Sequence, residues 1–299
     1  MAERTHVPLA KNGGTDLEMS FLQFWWIFPA AIVFSTVAIG SGVSGALFFS
    51  PFFMLVVGLS PVQAVGAGLM TEVFGMGNGL RAYVAAKLVD YATARWLLAG
   101  AVPGIIVGAF AAEAIDDRVL KAIFGVGLLV LAGFLILVRT PEECEPGDRP
   151  SELIDRKSVG KSATEIRAKD GSVYTYATCW RPPGVALAAL GGVLTGMISA
   201  GLPEISTTQL VARCRVPPRV AIATSVFTLA IVAAIGAAVH AMNAEPVWEV
   251  VAWSIPGVLV GSTLGSRLGK FLPGKLMEKA LGIIFALVGA LVLVLEFWK

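Results

Sequence analysis

Apolar residues run through this chain in long uninterrupted blocks instead of one-sided stripes. Blocks near 22–39, 45–58, 61–80, 96–112 and 119–138 come first, and a second set at 184–198, 203–212, 218–240, 248–265 and 277–297 follows a polar stretch over 139–183. A helix that crosses a bilayer takes about 20 mostly apolar residues, so the pattern predicts an all-α polytopic membrane protein. The expected organisation is a polar N-terminal tail over 1–20, a first membrane repeat over 21–138, a linker over 139–183 and a second membrane repeat over 184–299. The linker mixes bases, acids, Pro, Gly and Ser without a clear period and reads as a solvated loop. The tail lacks the positive start and immediate apolar core of a secretory signal and is expected to be retained. Trp25, Trp26, Trp96, Trp180, Trp248 and Trp298 fall near block ends, where an amphipathic indole favours the headgroup layer.

Two blocks are interrupted at corresponding places. Gly40-Ser41-Gly42-Val43-Ser44-Gly45 breaks the run over 22–58, and Ser199-Ala200-Gly201-Leu202-Pro203-Glu204 breaks the run over 184–212. Glycine weakens a helix, hydroxyls satisfy freed backbone groups, and proline suits the first turn of a new helical piece. Each half should therefore open with a broken run that is re-entrant or crosses twice.

Charge orients the chain, because cytoplasmic loops collect Lys and Arg. If each broken run is one crossing, the 23 basic residues divide 14 inside to 9 outside; if each run goes in and returns, they divide 18 to 5. The second arrangement is the expected one. It places the linker in the cytoplasm with Arg81, Lys87, Arg95, Arg213, Arg215 and Arg219, and both termini outside a plasma (inner) membrane.

Composition narrows the function. At 56% hydrophobic and 15% charged residues the chain lacks the polar material to coat a soluble globule, which ordinarily carries about a quarter charged residues. A net charge of +2 and the lack of a basic stripe give nucleic acid no footprint. Cys144, Cys179 and Cys214 form no CxxC pair and are odd in number, so reduced thiols are expected, with neither a disulfide framework nor a metal site. The sequence has no HExxH, no pair of intramembrane aspartates and no Gly-rich phosphate loop ending in Lys. That argues against an intramembrane enzyme or a transport ATPase and for movement down an ion or substrate gradient. A passive anion channel is the alternative.

The two halves are similar to each other. Residues Ala99–Gly108 match Ala252–Gly261 at five of ten positions, with Pro103-Gly104 and Pro256-Gly257 in register. Pro61 pairs with Pro218, Ala64 with Ala221, Thr71 with Thr228 and Lys121-Ala122 with Lys279-Ala280. An odd number of crossings per half makes the second half an inverted copy of the first. A glycine-rich break in the first helix, a proline and alanine soon after it, a P-G-x-x-V-G helix, and the same set again after a loop resemble the TauE/SafE family of sulfite and organosulfonate exporters over about residues 30–295. The resemblance implies an anion transporter of the plasma membrane with no cofactor. Its substrate would be sulfite or a small organosulfonate such as sulfoacetate, and a homodimer is compatible with it.

The residues themselves suit an anion. A helix broken at membrane depth presents unpaired N–H groups and the positive end of its dipole to sulfonate or sulfite oxygens. Two inverted breaks offer two such ends to one substrate moving by alternating access. Ser41, Ser44 and Ser199 are candidate hydroxyl donors, and Gly42, Gly45 and Gly201 let a ligand approach the backbone, although small residues equally permit close helix packing. Thr71, Asn78, Thr224, Ser225 and Thr228 follow the breaks and either line the site or bond back to their own helices. Glu72, midway along an apolar block, is the candidate proton carrier, since desolvation favours the protonated form; the alternative is a neutral carboxyl bonded to a neighbouring helix. Leu229 occupies its repeat-related position. Glu204, at the start of a helical piece, reads as a cap first and a gate second. Arg81, Arg95, Arg213, Arg215 and Arg219 satisfy the topology rule or collect anions at the mouth. His6 and His240 are not expected to be buried relays.

Overall fold

A computed structural model describes residues 21–41, 44–137, 163–177, 181–244, 246–268 and 274–297. The first half runs α1 (Ile27–Ser41), α2 (Ala46–Phe52) continued by a π-helical turn (Phe53–Val57), α3 (Pro61–Ala85), α4 (Tyr91–Ala114) and α5 (Asp117–Leu137). The second half repeats that series as α6 (Arg181–Ile198), α7 (Leu202–Thr208) with its own π turn (Gln209–Arg213), α8 (Pro218–Asn243), α9 (Trp248–Leu268) and α10 (Gly274–Phe297). Every helix lies within a few residues of an apolar block, because the breakers between blocks stop helices for local reasons. Ser60 and Gln63 form a reciprocal capping box before α3, with Pro61 in its first turn. Asp90 Oδ1 accepts from the N–H groups of Ala92 and Thr93 and starts α4.

Chain direction follows from the contacts. α1 and α9 run parallel, since a Cβ on Gly257 would meet Phe28 O and one on Gly261 would meet Ile32 O. α3 and α9 are also parallel, with Gly75 against Val258 and Asn78 Nδ2 donating to Ser262 Oγ at 2.9 Å. α1 and α3 therefore point the same way, and the segment between them must carry the chain back. That segment has a seven-residue helix and a five-residue π turn, about 18 Å of rise against a hydrocarbon core of about 30 Å. It is re-entrant. The second half behaves alike: α4 and α6 are parallel through Gly100 on Val185, Gly104 on Ala189 and Gly108 on Val193. α4 and α8 are parallel through Tyr91 on Phe227 and Ile105 on Gly236, so α7 and its π turn also bring the chain back.

Corresponding helices of the two halves meet antiparallel. Gly66 of α3 lies against His240 and Leu69 against Gly236 of α8. In the outer pair, Arg118 and Lys121 at the start of α5 reach Glu296 at the end of α10, each at 3.3 Å, while Gly282 at the other end packs on Ile136.

The repeated P-G-x-x-V-G helices are packing devices. Gly104 and Gly108 of α4 seat against backbone carbonyls of α6, and Gly257 and Gly261 of α9 do so against α1, an approach that any Cβ would block. Each broken run is thus clamped by the P-G-x-x-V-G helix of the opposite half. Val107, Phe110, Val130, Leu287 and Leu291 stay exposed, an apolar surface suited to lipid. Helices Tyr91–Ala114, Arg181–Ile198 and Pro218–Asn243 are each long and apolar enough to cross a membrane.

The linker departs from the expected loop over its described part. β1 (Ala163–Arg167) and β2 (Val173–Ala177) pair antiparallel, Ala163 opposite Ala177 and Arg167 opposite Val173. The turn residues Lys169-Asp170-Gly171 close it, with Gly171 at φ +86° and Asp170 accepting from Ser172 N–H at 3.0 Å and from its hydroxyl. Those Ser172 donors hold the exposed Asp170 carboxyl below its ordinary pKa. Asp-Gly between two β-branched and aromatic runs is a hairpin signal. The hairpin docks on the α3–α4 connection: Lys169 N–H donates to Ala86 O at 3.0 Å, and the Tyr176 hydroxyl to Asp90 Oδ2 at 2.8 Å. Burial, then the hydrogen bond and charge of Asp90, hold the Tyr176 phenol well above its ordinary pKa, so it remains a donor. Cys214 is also unlike its expectation as a reduced thiol. It is disulfide-bonded, and Cys144 and Cys179 both lie outside the described residues.

Two measurements check this packing. Gly104→Ala drives a methyl into Ala189 O and should cost about 1–3 kcal/mol, lowering the unfolding midpoint in detergent. Gly77→Ala, which meets nothing within 4 Å, should leave the midpoint unchanged or raise it. Tyr176→Phe should cost about 1–3 kcal/mol by removing one donor from Asp90, which keeps Thr93 and Ala92, and make the hairpin more susceptible to limited proteolysis.

Candidate functional site

The two breaks meet inside the bundle. Ser50 Oγ of α2 donates to Ser199 Oγ of the second break at 2.8 Å, and Ser199 Oγ reaches Val65 O of α3 at 3.4 Å. The second break is shaped by backbone chirality. Ser199 at φ +58° ends α6, Gly201 at φ +116° reverses the chain, and Pro203 enters the first turn of α7. A side chain at φ +116° is strained, so Gly201 is required by conformation. Thr195 staples the turn, its Oγ1 accepting from Leu202 N–H at 3.1 Å while donating to Gly191 O at 2.8 Å.

Each new helix start is closed by a carboxyl. Glu72, 2% exposed in the middle of α3, places Oε1 where Ser44 Oγ donates at 2.6 Å and Gly45 N–H at 2.9 Å. It thereby caps α2 from another helix, 27 residues downstream of Gly45. Glu204 caps its own helix, Oε2 accepting from Gly201 N–H at 3.1 Å. Ser44 N–H also faces Glu204, and the charges of Glu72 and Glu204 act on each other. Glu72 Oε2 and Glu204 Oε1 are enclosed without a hydrogen-bond partner. Among the described residues no basic side chain forms an ion pair with either acid. Two acids with spare acceptor atoms therefore face the positive ends of two short helices, where burial of a lone charge is costly.

The remaining candidates divide. Thr71 and Thr228 are fully buried and donate back to Ala67 O at 2.8 Å and Thr224 O at 2.9 Å. Thr224 donates to Val220 O and accepts from Asp90 N–H, fixing the start of α4. Asn78 ties α3 to Ser262 and Thr263 of α9. Ser225 is buried with an unpartnered Oγ. Gly42 and the Ser41 side chain lie outside the described residues. His240 corrects its expectation: it is 2% exposed, with Nε2 at 2.9 Å from Gly196 O and Nδ1 unpartnered. Ser50 and Thr195 were not singled out from the sequence. A hydroxyl four residues before a break, and another inside an otherwise apolar run, were the available signals.

Residues 27–292 match the family model described as Sulfite exporter TauE/SafE. The chain belongs to the TauE/SafE family. A relative in Bacillus subtilis (strain 168), named probable membrane transporter protein YunE, is 25% identical over 263 residues, covering 87% of this chain and 92% of that protein. Proteins named probable membrane transporter protein MamO in Magnetospirillum gryphiswaldense and Paramagnetospirillum magneticum are 26% and 25% identical, each covering 96% of this chain and 46% of its own length. No solved structure matches. This TauE/SafE protein is a multi-pass membrane transporter, and its paired breaks hold two buried acids.

The capping geometry predicts an asymmetry between two serines. Ser44→Ala takes a donor from Glu72 and should cost about 1.5–3 kcal/mol, read as a lower unfolding midpoint. Ser225→Ala removes a hydroxyl that has no partner and should leave the midpoint unchanged or higher.

Proposed function

We propose that this transporter moves a small oxyanion, sulfite or a small organosulfonate, across the plasma membrane by alternating access, coupled to a proton carried by Glu72. The observation that carries the reading is the Glu72 carboxyl seated on Ser44 Oγ and Gly45 N–H, the donors that an oxyanion would use at a helix start. Glu72 acts as an internal anion. When protonated it loses its hold on those donors and the substrate takes its place; when the substrate leaves, the carboxylate returns. Glu204 performs the same exchange at the second break, gating it, and Ser199 and Gly201 complete the cradle. A site of this kind binds negative charge without a buried arginine.

The halves are inverted repeats in this reading. Their shared element series, and the antiparallel meeting of α3 with α8 and of α5 with α10, support it. Returning broken runs give each half three full crossings, so the linker lies in the cytoplasm and both termini outside, in line with the 18 to 5 division of basic residues.

Flux into proteoliposomes, with and without a pH gradient, tests the reading on a panel of sulfite, small sulfonates, sulfate and carboxylates. Wild type should show saturable oxyanion flux accelerated by the gradient. Glu72→Gln should lose that acceleration by tenfold or more, whereas an unchanged pH dependence eliminates the coupling role.

A further inference from the structure

The two re-entrant hairpins share a backbone but differ in chemistry at their mouths. Aligning α2 with α7 and the two π turns places Phe53 opposite Gln209 and Val57 opposite Arg213. On the first hairpin, Phe53 is fully buried and packs on Phe49 and Phe52 at ring separations of 5.8 and 5.7 Å, with Phe34 and Trp26 completing an aromatic seal. On the second, Arg213, Gln209 and Ser206 step inward along one helical face at spacings of four and three.

Their outer end opens on a cavity of about 110 Å³ between α4, α6, the second π turn and the β-hairpin. One enclosed water needs about 10–15 Å³, so the space accommodates a small oxyanion with some hydration. Arg181 and Arg213 line it, together with Thr93, Tyr176 and Gln209, and among the described residues no acidic side chain lines it. Arg181 is held over the Trp96 ring at 4.3 Å. Gln209, 6% exposed, has Oε1 unpartnered and Nε2 only 3.4 Å from Gly184 O, so its amide is loosely held. Further in, Ser206 Oγ is buried without a partner. Orphaned polar atoms leading inward from a cationic cavity have no packing purpose, and each costs stability unless something visits it.

We propose that this cavity is a loading site for a small oxyanion on the linker side, with Arg181 and Arg213 binding it and Gln209 and Ser206 handing it toward the breaks. The proposal rests on the oxyanion-transport reading and adds a second station, distinct from the Glu72 cradle, reached from one face only. Planar guanidinium groups suit sulfonate oxygens, and the aromatic seal on the other hairpin makes the described conformation open toward the linker.

Equilibrium binding of ³⁵S-labelled methanesulfonate to the full-length protein in nanodiscs, paired with flux of the same probe in proteoliposomes, tests it. Arg181 and Arg213 are exposed, so Arg181→Gln and Arg213→Gln should leave folding intact, and unfolding midpoints check that. The double variant should bind about tenfold or more weakly, with KM raised by a similar factor and maximal flux within twofold. Gln209→Leu should raise KM as well. Lys87→Gln, which removes a charge on the same face outside the cavity, should change neither. Unchanged binding in the double variant, or an equal loss in Lys87→Gln, overturns the site. Failure of the Glu72 reading looks different, because it alters the response to a pH gradient while the arginine variants still weaken binding.

Discussion

Backbone polar groups cannot go unpaired at membrane depth, and a helix that stops there must find partners for its first N–H groups. Both broken runs of this protein meet that demand with a carboxyl, yet by different routes. Glu204 reaches one turn back along its own chain to Gly201, while Glu72 arrives from α3 to cap a helix that began earlier in the sequence. A neutral amide or hydroxyl would have satisfied the donors at lower desolvation cost. The use of acids makes the closure of each break depend on charge.

The hairpins are held from outside by glycine. α1 rests on α9 and α6 on α4 with backbone touching backbone, so each broken helix is fixed to the half that does not contain it. The closely packed units are therefore these cross-half pairs, not the halves as they run in sequence. α2 packs chiefly on α3, and α7 packs on both α6 and α8.

The two halves share one series of elements, yet differ at matching positions. Leu229 stands where Glu72 would be, Phe48 where Glu204 is, and Phe53 and Val57 where Gln209 and Arg213 are. One mouth is consequently oily and aromatic, the other cationic. An unequal pair of mouths can favour loading from one face even though the scaffold is close to symmetric.

Element positions were legible in the residues, because apolar length, Ser60, Pro61, Asp90 and the two glycine-rich breaks act locally. Glu72 also stood out, since an acid in an apolar block has to be explained wherever it is found. The Asp170-Gly171 turn was present but hidden in a charged linker that read as a solvated loop. What Glu72 bonds to, the parallel seating of α1 on α9, the burial of His240 and the gathering of Arg181 with Arg213 depend on contacts between residues far apart in the chain, and local pattern carries no record of them. Sequence by itself determined that this chain breaks two helices in lipid and supplies the acids. Only the tertiary structure decided which acid closes which break, because that choice is made by the approach of separate helices through space.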